Sequence, residues 1–189
     1  MFRRGDALLI VDVQNDFCPG GALAVSRGDE IVPVLNRWIP EAAAAGVPVF
    51  ASRDWHPTNH ISFKARGGPW PPHCIQNTPG AQFHPDLKLP PDVRIISKAE
   101  TSEVDRYSAF GGTNLSECLR EAGIQRVWIG GLAQDYCVRA TALDAIREGF
   151  EVHLIVSATR AVNVKPDDGK QAIEEIRRAG GILEETLER

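Results

Sequence analysis

Ala7-Leu8-Leu9-Ile10-Val11-Asp12 is the stretch that decides the fold. Its apolar residues run without polar alternation, as a strand buried on both faces does. An acid closes the run. Two other runs behave alike. Val93-Arg94-Ile95-Ile96-Ser97 is closed by Lys98, and Arg126-Val127-Trp128-Ile129-Gly130 is followed a short loop later by Cys137. If all three are parallel strands of one sheet, these ends gather at its carboxyl edge, where open α/β sheets bind ligands. A carboxylate, an amine and a thiol meeting there suit a nucleophile with its proton carrier and charge partner.

Outward from these runs, strand and helix patterns alternate. Strands are predicted over 7–13, 47–52, 93–97, 126–130, 151–156 and 182–187. Asp29 is a candidate N-cap for a helix through Ala45, with Pro33 in the first turn and Pro40 expected to kink the helix or split it. Thr113 or Asn114 can cap a helix through Ala122. Asp135–Glu148 has helical spacing, with Val138, Ala142, Leu143 and Ile146 on one stripe. Pro166 or Asp167 opens a last helix through Ala179. The expectation is an α/β fold: a three-layer, doubly wound sheet of about six mainly parallel strands with helices on both faces. Residues 1–189 are expected to form one domain.

Composition narrows the function classes. The chain has 189 residues, is 43% hydrophobic and 24% charged, and carries a net charge of -4, an ordinary balance for a soluble globular protein. It has no basic stripe or tail, which argues against a nucleic-acid partner. Arg3 and Arg4 precede an apolar run that meets Asp12 too soon for a signal-peptide core, and nothing approaches transmembrane length. Cys18, Cys74, Cys118 and Cys137 have no CxxC spacing. A cytoplasmic protein with reduced thiols is expected, with no membrane partner.

Each candidate residue also has a plainer reading. Cys137 falls near the first turn of a predicted helix, where the helix dipole favours thiolate; it could instead be a buried structural cysteine. Asp12 could be a loop cap, or a general acid/base within reach of the thiol proton. Lys98 could be solvated, or could keep Asp12 charged and stabilise developing negative charge. The segment from Arg53 to Pro91 carries eight prolines; a long insert of this kind inside a compact domain is usually functional. It holds Asp54-Trp55-His56, then His60 and His73. An Asp and a His two apart with a distant His suit zinc, manganese or iron, though hydrogen-bonded loop histidines would look the same. Phe17, Trp55, Trp70 and Tyr107 are loop aromatics at the same predicted edge, able to wall a flat apolar substrate or to pack beneath a loop. Trp38 and Trp128 are expected in the core. Glu100, Glu103 and Asp105 read as a solvated loop.

Together these stretches resemble the nicotinamidases within the isochorismatase-like cysteine hydrolases. The resemblance is carried by Ala7 through Phe17 (ALLIVDVQNDF), Arg53-Asp54-Trp55-His56-Pro57, Asn59-His60-Ile61-Ser62-Phe63, and Trp70-Pro71-Pro72-His73-Cys74 through Ala81. Lys98 with Tyr107-Ser108-Ala109-Phe110, and Gly130 through Ala142 (GGLAQDYCVRATA), complete it. It covers almost the whole length in the family's order. It implies hydrolysis of nicotinamide, and of pyrazinamide, through a cysteine thioester in pyridine-nucleotide (NAD) salvage. Cys137 would be the nucleophile, Asp12 the acid/base and Lys98 its partner. Asp54, His56 and His73 would hold one divalent metal, zinc foremost and manganese or iron otherwise. His60 matches a position that is a ligand in some members and a neighbour in others. Phe17 and Trp70 would sandwich the ring, with Tyr107 and Tyr136 beside it. The resemblance also implies a cis peptide at Leu132–Ala133 and an oxyanion hole from the Ala133 and Cys137 amides. Many relatives carry Thr where this chain has Gln134; because the donors there are backbone groups, little change is expected. The family often self-associates, which leaves both a monomer and a homo-oligomer open. The rivals are another isochorismatase-like hydrolase and a non-catalytic metal-binding protein on the same fold.

Overall fold

The computed structural model of the chain describes residues 2–185. Strands β1 (Asp6–Val11), β2 (Val49–Asp54), β3 (Arg94–Lys98), β4 (Arg126–Leu132), β5 (Glu151–Arg160) and β6 (Ile182–Glu184) form one sheet in the order β3-β2-β1-β4-β5-β6. Every neighbouring pair is parallel, so the sheet is wholly rather than mainly parallel. The order reverses between β1 and β4, and the crevice at such a reversal is where these sheets take their ligands.

Burial follows the pleat of β1. Leu8 and Ile10 join the core on one face, with Leu35, Trp38, Ile39 and Ala42 of helix α1 (Val32–Ala44). Ala7, Leu9 and Val11 join the core on the other. That second core takes Leu115 and Leu119 of α2 (Leu115–Glu121), Ala142 and Ala145 of α3 (Arg139–Arg147) and Ile176 of α4 (Asp168–Arg178). One helix therefore covers one face and three the other. Trp38 and Trp128 are both buried, as expected.

Several expected boundaries move. The chain reaches α1 through a 3-10 turn, Gly28–Ile31, so Asp29 lies too early to cap the helix. Pro40 neither splits nor ends α1. It lies on the exposed side, where water can take the place of the missing N–H. The stretch expected as a helix over Asp135–Glu148 is helical through Arg147, but its first turn, Gln134–Val138, is a π-helix that runs directly into α3. β6 ends at Glu184, and residues 186 and 187 of the expected strand lie outside the described residues. The proline-rich insert is ordered by short 3-10 turns and by single bridges, His56 to Ile75 and Phe63 to Trp70. No helix among the described residues is long and apolar enough to cross a membrane. All four cysteines are free.

At the β1–β4 reversal the two strands press together. A Cβ at Gly131 would lie 2.0 Å from the Val11 carbonyl oxygen, and Gly131 itself has φ +139°. Only glycine fits there. This contact draws the loop carrying Cys137 toward the strand end carrying Asp12.

Candidate active site

Asp12 leaves β1 with φ +50°, a left-handed turn that Asp tolerates better than most residues. It is fully buried. Its Oδ1 accepts a hydrogen bond from Ser52 Oγ at 2.7 Å. Its Oδ2 lies 2.9 Å from Lys98 Nζ but has no aligned donor among the described residues. That contact is thus a charge pair rather than a directed hydrogen bond, and it leaves an acceptor free.

Lys98 closes β3 and is 1% exposed. Its Nζ bridges two carboxylates, Asp12 Oδ2 and Asp54 Oδ1, and lies 3.6 Å from Cys137 Sγ. Burial opposes the ammonium form, but Asp12 and then Asp54 outweigh it, so Lys98 titrates well above its ordinary range. The solvated reading of Lys98 is excluded.

Cys137 sits in the π-helical turn and is buried. The surroundings of the thiol act against the thiolate that a helix dipole would favour. Burial pushes the thiol well above its ordinary value, against the pull of Lys98. A neutral thiol needs a base to act, and one is at hand. One ligating atom each of Asp12, Asp54 and Cys137 lies within 4.8 Å of the others. Burial raises Asp12 above the usual carboxylate value; Lys98 opposes this and Asp54 adds to it. The rise at Asp12 makes it a stronger base toward the thiol.

Asp54, His56 and His73 converge beside this group, with one ligating atom of each within 4.8 Å of the others. Backbone carbonyls set the histidine tautomers. His56 Nδ1 donates to Ala99 O at 3.2 Å, and His73 Nδ1 donates to Pro71 O at 2.8 Å. Both Nε2 atoms then present lone pairs, 3.5 Å and 3.9 Å from Asp54 Oδ2. Carbonyl-oriented imidazoles beside a carboxylate are the usual arrangement at a metal site. Burial would raise Asp54, but Lys98 foremost outweighs it and holds the group ionised. Burial lowers His73 and keeps it neutral, as a ligand must be. The donor set therefore fits a divalent ion of the zinc type.

His60 belongs to a different class. Its Nδ1 pairs with Ser62 Oγ at 2.7 Å and its Nε2 with Val104 O at 3.1 Å. Its ring stacks on His56 with centroids 4.0 Å apart. Both of its nitrogens are engaged, and it stands outside the Asp54, His56 and His73 group.

Above these groups lies a cleft of about 380 Å³ counted together with its open mouth. Phe17, Trp70, Tyr107 and Tyr136 wall it, and Asp54, His73, Ala133 and Cys137 face into it. Trp70 Nε1 donates to Tyr107 Oη at 3.0 Å, and Trp70 meets Tyr136 edge-on at 5.1 Å. The peptide Leu132–Ala133 is cis. Trp55 does not line the cleft; the Arg53 guanidinium stacks over it at 3.7 Å. Glu100 and Glu103 are exposed and Asp105 partly so, as expected of a solvated loop.

Three residues here were not singled out from sequence. Ser52 holds Asp12 Oδ1. Gln14 grips the backbone of Asp54. Asp16 Oδ2 accepts the Cys74 N–H at 2.7 Å, next to His73. Gln14 and Asp16 stand in the same polar run as Asp12, and that proximity was the available signal.

Comparison with known proteins agrees with this geometry. The isochorismatase domain model matches residues 6–187. Escherichia coli (strain K12) nicotinamidase is 43% identical, covering 94% of this chain and 93% of that one. Mycobacterium tuberculosis nicotinamidase/pyrazinamidase is 40% identical, covering 92% and 95%. The crystal structure of Pyrococcus horikoshii pyrazinamidase in complex with zinc superposes with a TM-score of 0.91 at 51% identity, covering 95% and 98%. The chain belongs to the isochorismatase domain family of hydrolases. The three relatives just named are nicotinamidases and pyrazinamidases.

Proposed function

We propose that this chain is a nicotinamidase, hydrolysing nicotinamide to nicotinate and ammonia and accepting pyrazinamide. One observation carries the proposal: a buried thiol, an underbonded carboxylate and a charged lysine meet on the floor of an aromatic cleft, beside an Asp-His-His group. The identity with nicotinamidases over most of the chain supports the choice of substrate.

Asp12 takes the proton of the Cys137 thiol. The thiolate attacks the carboxamide carbon and forms a C–S bond. The oxyanion is held by the backbone amides of Ala133 and Cys137. Asp12 returns its proton to the nitrogen, the C–N bond breaks, and ammonia leaves a thioester. Asp12 next takes a proton from water; the new hydroxide carbon bond forms, the C–S bond breaks, and the proton returns to sulfur. Lys98 keeps Asp12 anionic between these transfers. Phe17, Trp70, Tyr107 and Tyr136 hold the ring flat. Asp54, His56 and His73 would hold one divalent ion, zinc foremost with manganese or iron as alternatives, which when bound supplies a Lewis-acidic anchor for the ring nitrogen. The setting we infer is pyridine-nucleotide salvage in the cytoplasm.

The test is ammonia release from nicotinamide before chelation, after it, and after zinc is returned. Turnover lost on chelation and regained with zinc is expected. Absence of turnover with every metal state, alongside activity on a non-ring amide, would favour another hydrolase of the family. Absence of any turnover, with a thiol no more reactive than free cysteine, would favour a non-catalytic protein.

A further inference from the structure

Gln14 completes the sheet where the backbone abandons it. Up to Val11, β1 and β2 pair in regular parallel register, and Asp12 N donates to Ser52 O at 3.1 Å. The next rung of a parallel ladder would carry the Asp54 N–H to the Asp12 carbonyl. Asp12 instead turns left-handed at φ +50°, and its carbonyl accepts Gln14 N at 2.8 Å. The missing rung is supplied by a side chain. Asp54 N donates to Gln14 Oε1 at 2.8 Å, and Gln14 Nε2 donates back to Asp54 O at 2.8 Å. The second Nε2 proton goes to Ala81 O at 2.9 Å. Gln14 is 0% exposed, so no water can substitute for it.

We propose that Gln14 is a positioning residue. Its carboxamide replaces the peptide group that Asp12 withdraws, and so fixes the metal-side carboxylate of Asp54 relative to the acid/base. The consequence is geometric. Asp12 can point its carboxylate into the site only because something else pairs with Asp54. Asp54 in turn must hold still, since its Oδ1 meets Lys98 while its Oδ2 faces His56 and His73. A loose Asp54 backbone would disturb the metal group and the Lys98–Asp12 pair together. This inference rests on the nicotinamidase reading for its substrate, but not for its metal measurement.

The test compares the parent chain with Gln14→Leu, which removes both interactions, and Gln14→Glu, which keeps shape and the Asp54 N–H acceptor but loses the donor. Three quantities are read: zinc affinity by competition with a chromogenic chelator, kcat and KM for nicotinamide, and the melting temperature of the zinc-free protein. Supporting groups behind metal ligands typically govern affinity by about tenfold to a hundredfold. Zinc affinity should therefore weaken at least about tenfold in Gln14→Leu and less in Gln14→Glu. kcat should fall in both, because Asp12 and Lys98 shift with Asp54. If both variants bind zinc within about twofold of the parent and keep its kcat, while only the melting temperature drops, Gln14 is merely a core residue and the proposal is wrong. Failure of both variants to fold would also overturn it, by making Gln14 a requirement of the sheet itself. A parent chain that binds zinc yet leaves nicotinamide intact would sink the functional reading alone, and zinc affinities would still decide the role of Gln14.

Discussion

β1 carries a buried aspartate at each end, and the two are built in opposite ways. Asp6, at the amino end, is saturated. Arg126 grips Oδ1 through Nε at 2.5 Å and also through Nη2, while Oδ2 accepts Trp128 Nε1 at 3.2 Å and the Arg3 N–H at 2.9 Å. Asp12, at the carboxyl end, has one oxygen bonded to Ser52 and the other facing Lys98 and the thiol without an aligned donor. Both are 0% exposed. A buried carboxylate with all its lone pairs engaged fixes structure, and one kept short of donors stays able to take a proton.

The sharpest way to break this contrast is at the reacting atoms. Cys137→Ala should abolish ammonia release while circular dichroism and zinc content stay at parental values; release at near parental rate would end the thiol mechanism. Asp12→Asn should cost on the order of 10² to 10⁴ in kcat, because an amide cannot shuttle the proton. Asp6→Asn should do the reverse: kcat stays within about twofold, while unfolding free energy falls by about 3 kcal/mol or less, since Arg126 keeps some contact with water. Equal kinetic damage from the two substitutions would erase the distinction between the ends of the strand.

The metal side gives a smaller effect. His73→Ala should lose bound zinc and raise KM steeply, whereas His60→Ala, whose nitrogens already bond Ser62 and Val104, should lose much less. Zinc content by elemental analysis, with KM for each variant, separates the two. Benzamide, which lacks the ring nitrogen, should have kcat/KM at least about a hundredfold below nicotinamide, as sites built for a polar group reject analogues without it. Equal values would leave the Asp-His-His group a structural element.

The smallest effect sharpens the electrostatics. Burial raises Asp12, so its base form is lost earlier as pH falls than for an ordinary carboxylate. The acid limb of kcat/KM should therefore lie above about 4. A limb below that value would mean that Lys98 outweighs burial.

What the sequence determined by itself is substantial. Unbroken apolar runs such as Ala7–Val11 can be satisfied only by burial on both faces, which requires a parallel sheet with helices on either side. The residues closing those runs must then share an edge, so Asp12, Lys98 and Cys137 were legible from position alone, and the Asp-x-His pair with a later His was legible from donor chemistry. What only the tertiary structure decided are quantities that depend on neighbours far along the chain. Whether Cys137 rests as thiol or thiolate turns on burial against Lys98, two terms that local spacing does not contain. That His60 Nε2 already has a partner turns on Val104, 44 residues away. Gln14 takes its meaning from the left-handed turn at Asp12 and from Asp54 across the sheet. Periodicity records which residues are buried, but hydrogen-bond partners and local dielectric are set by three-dimensional proximity, and only the fold supplies it.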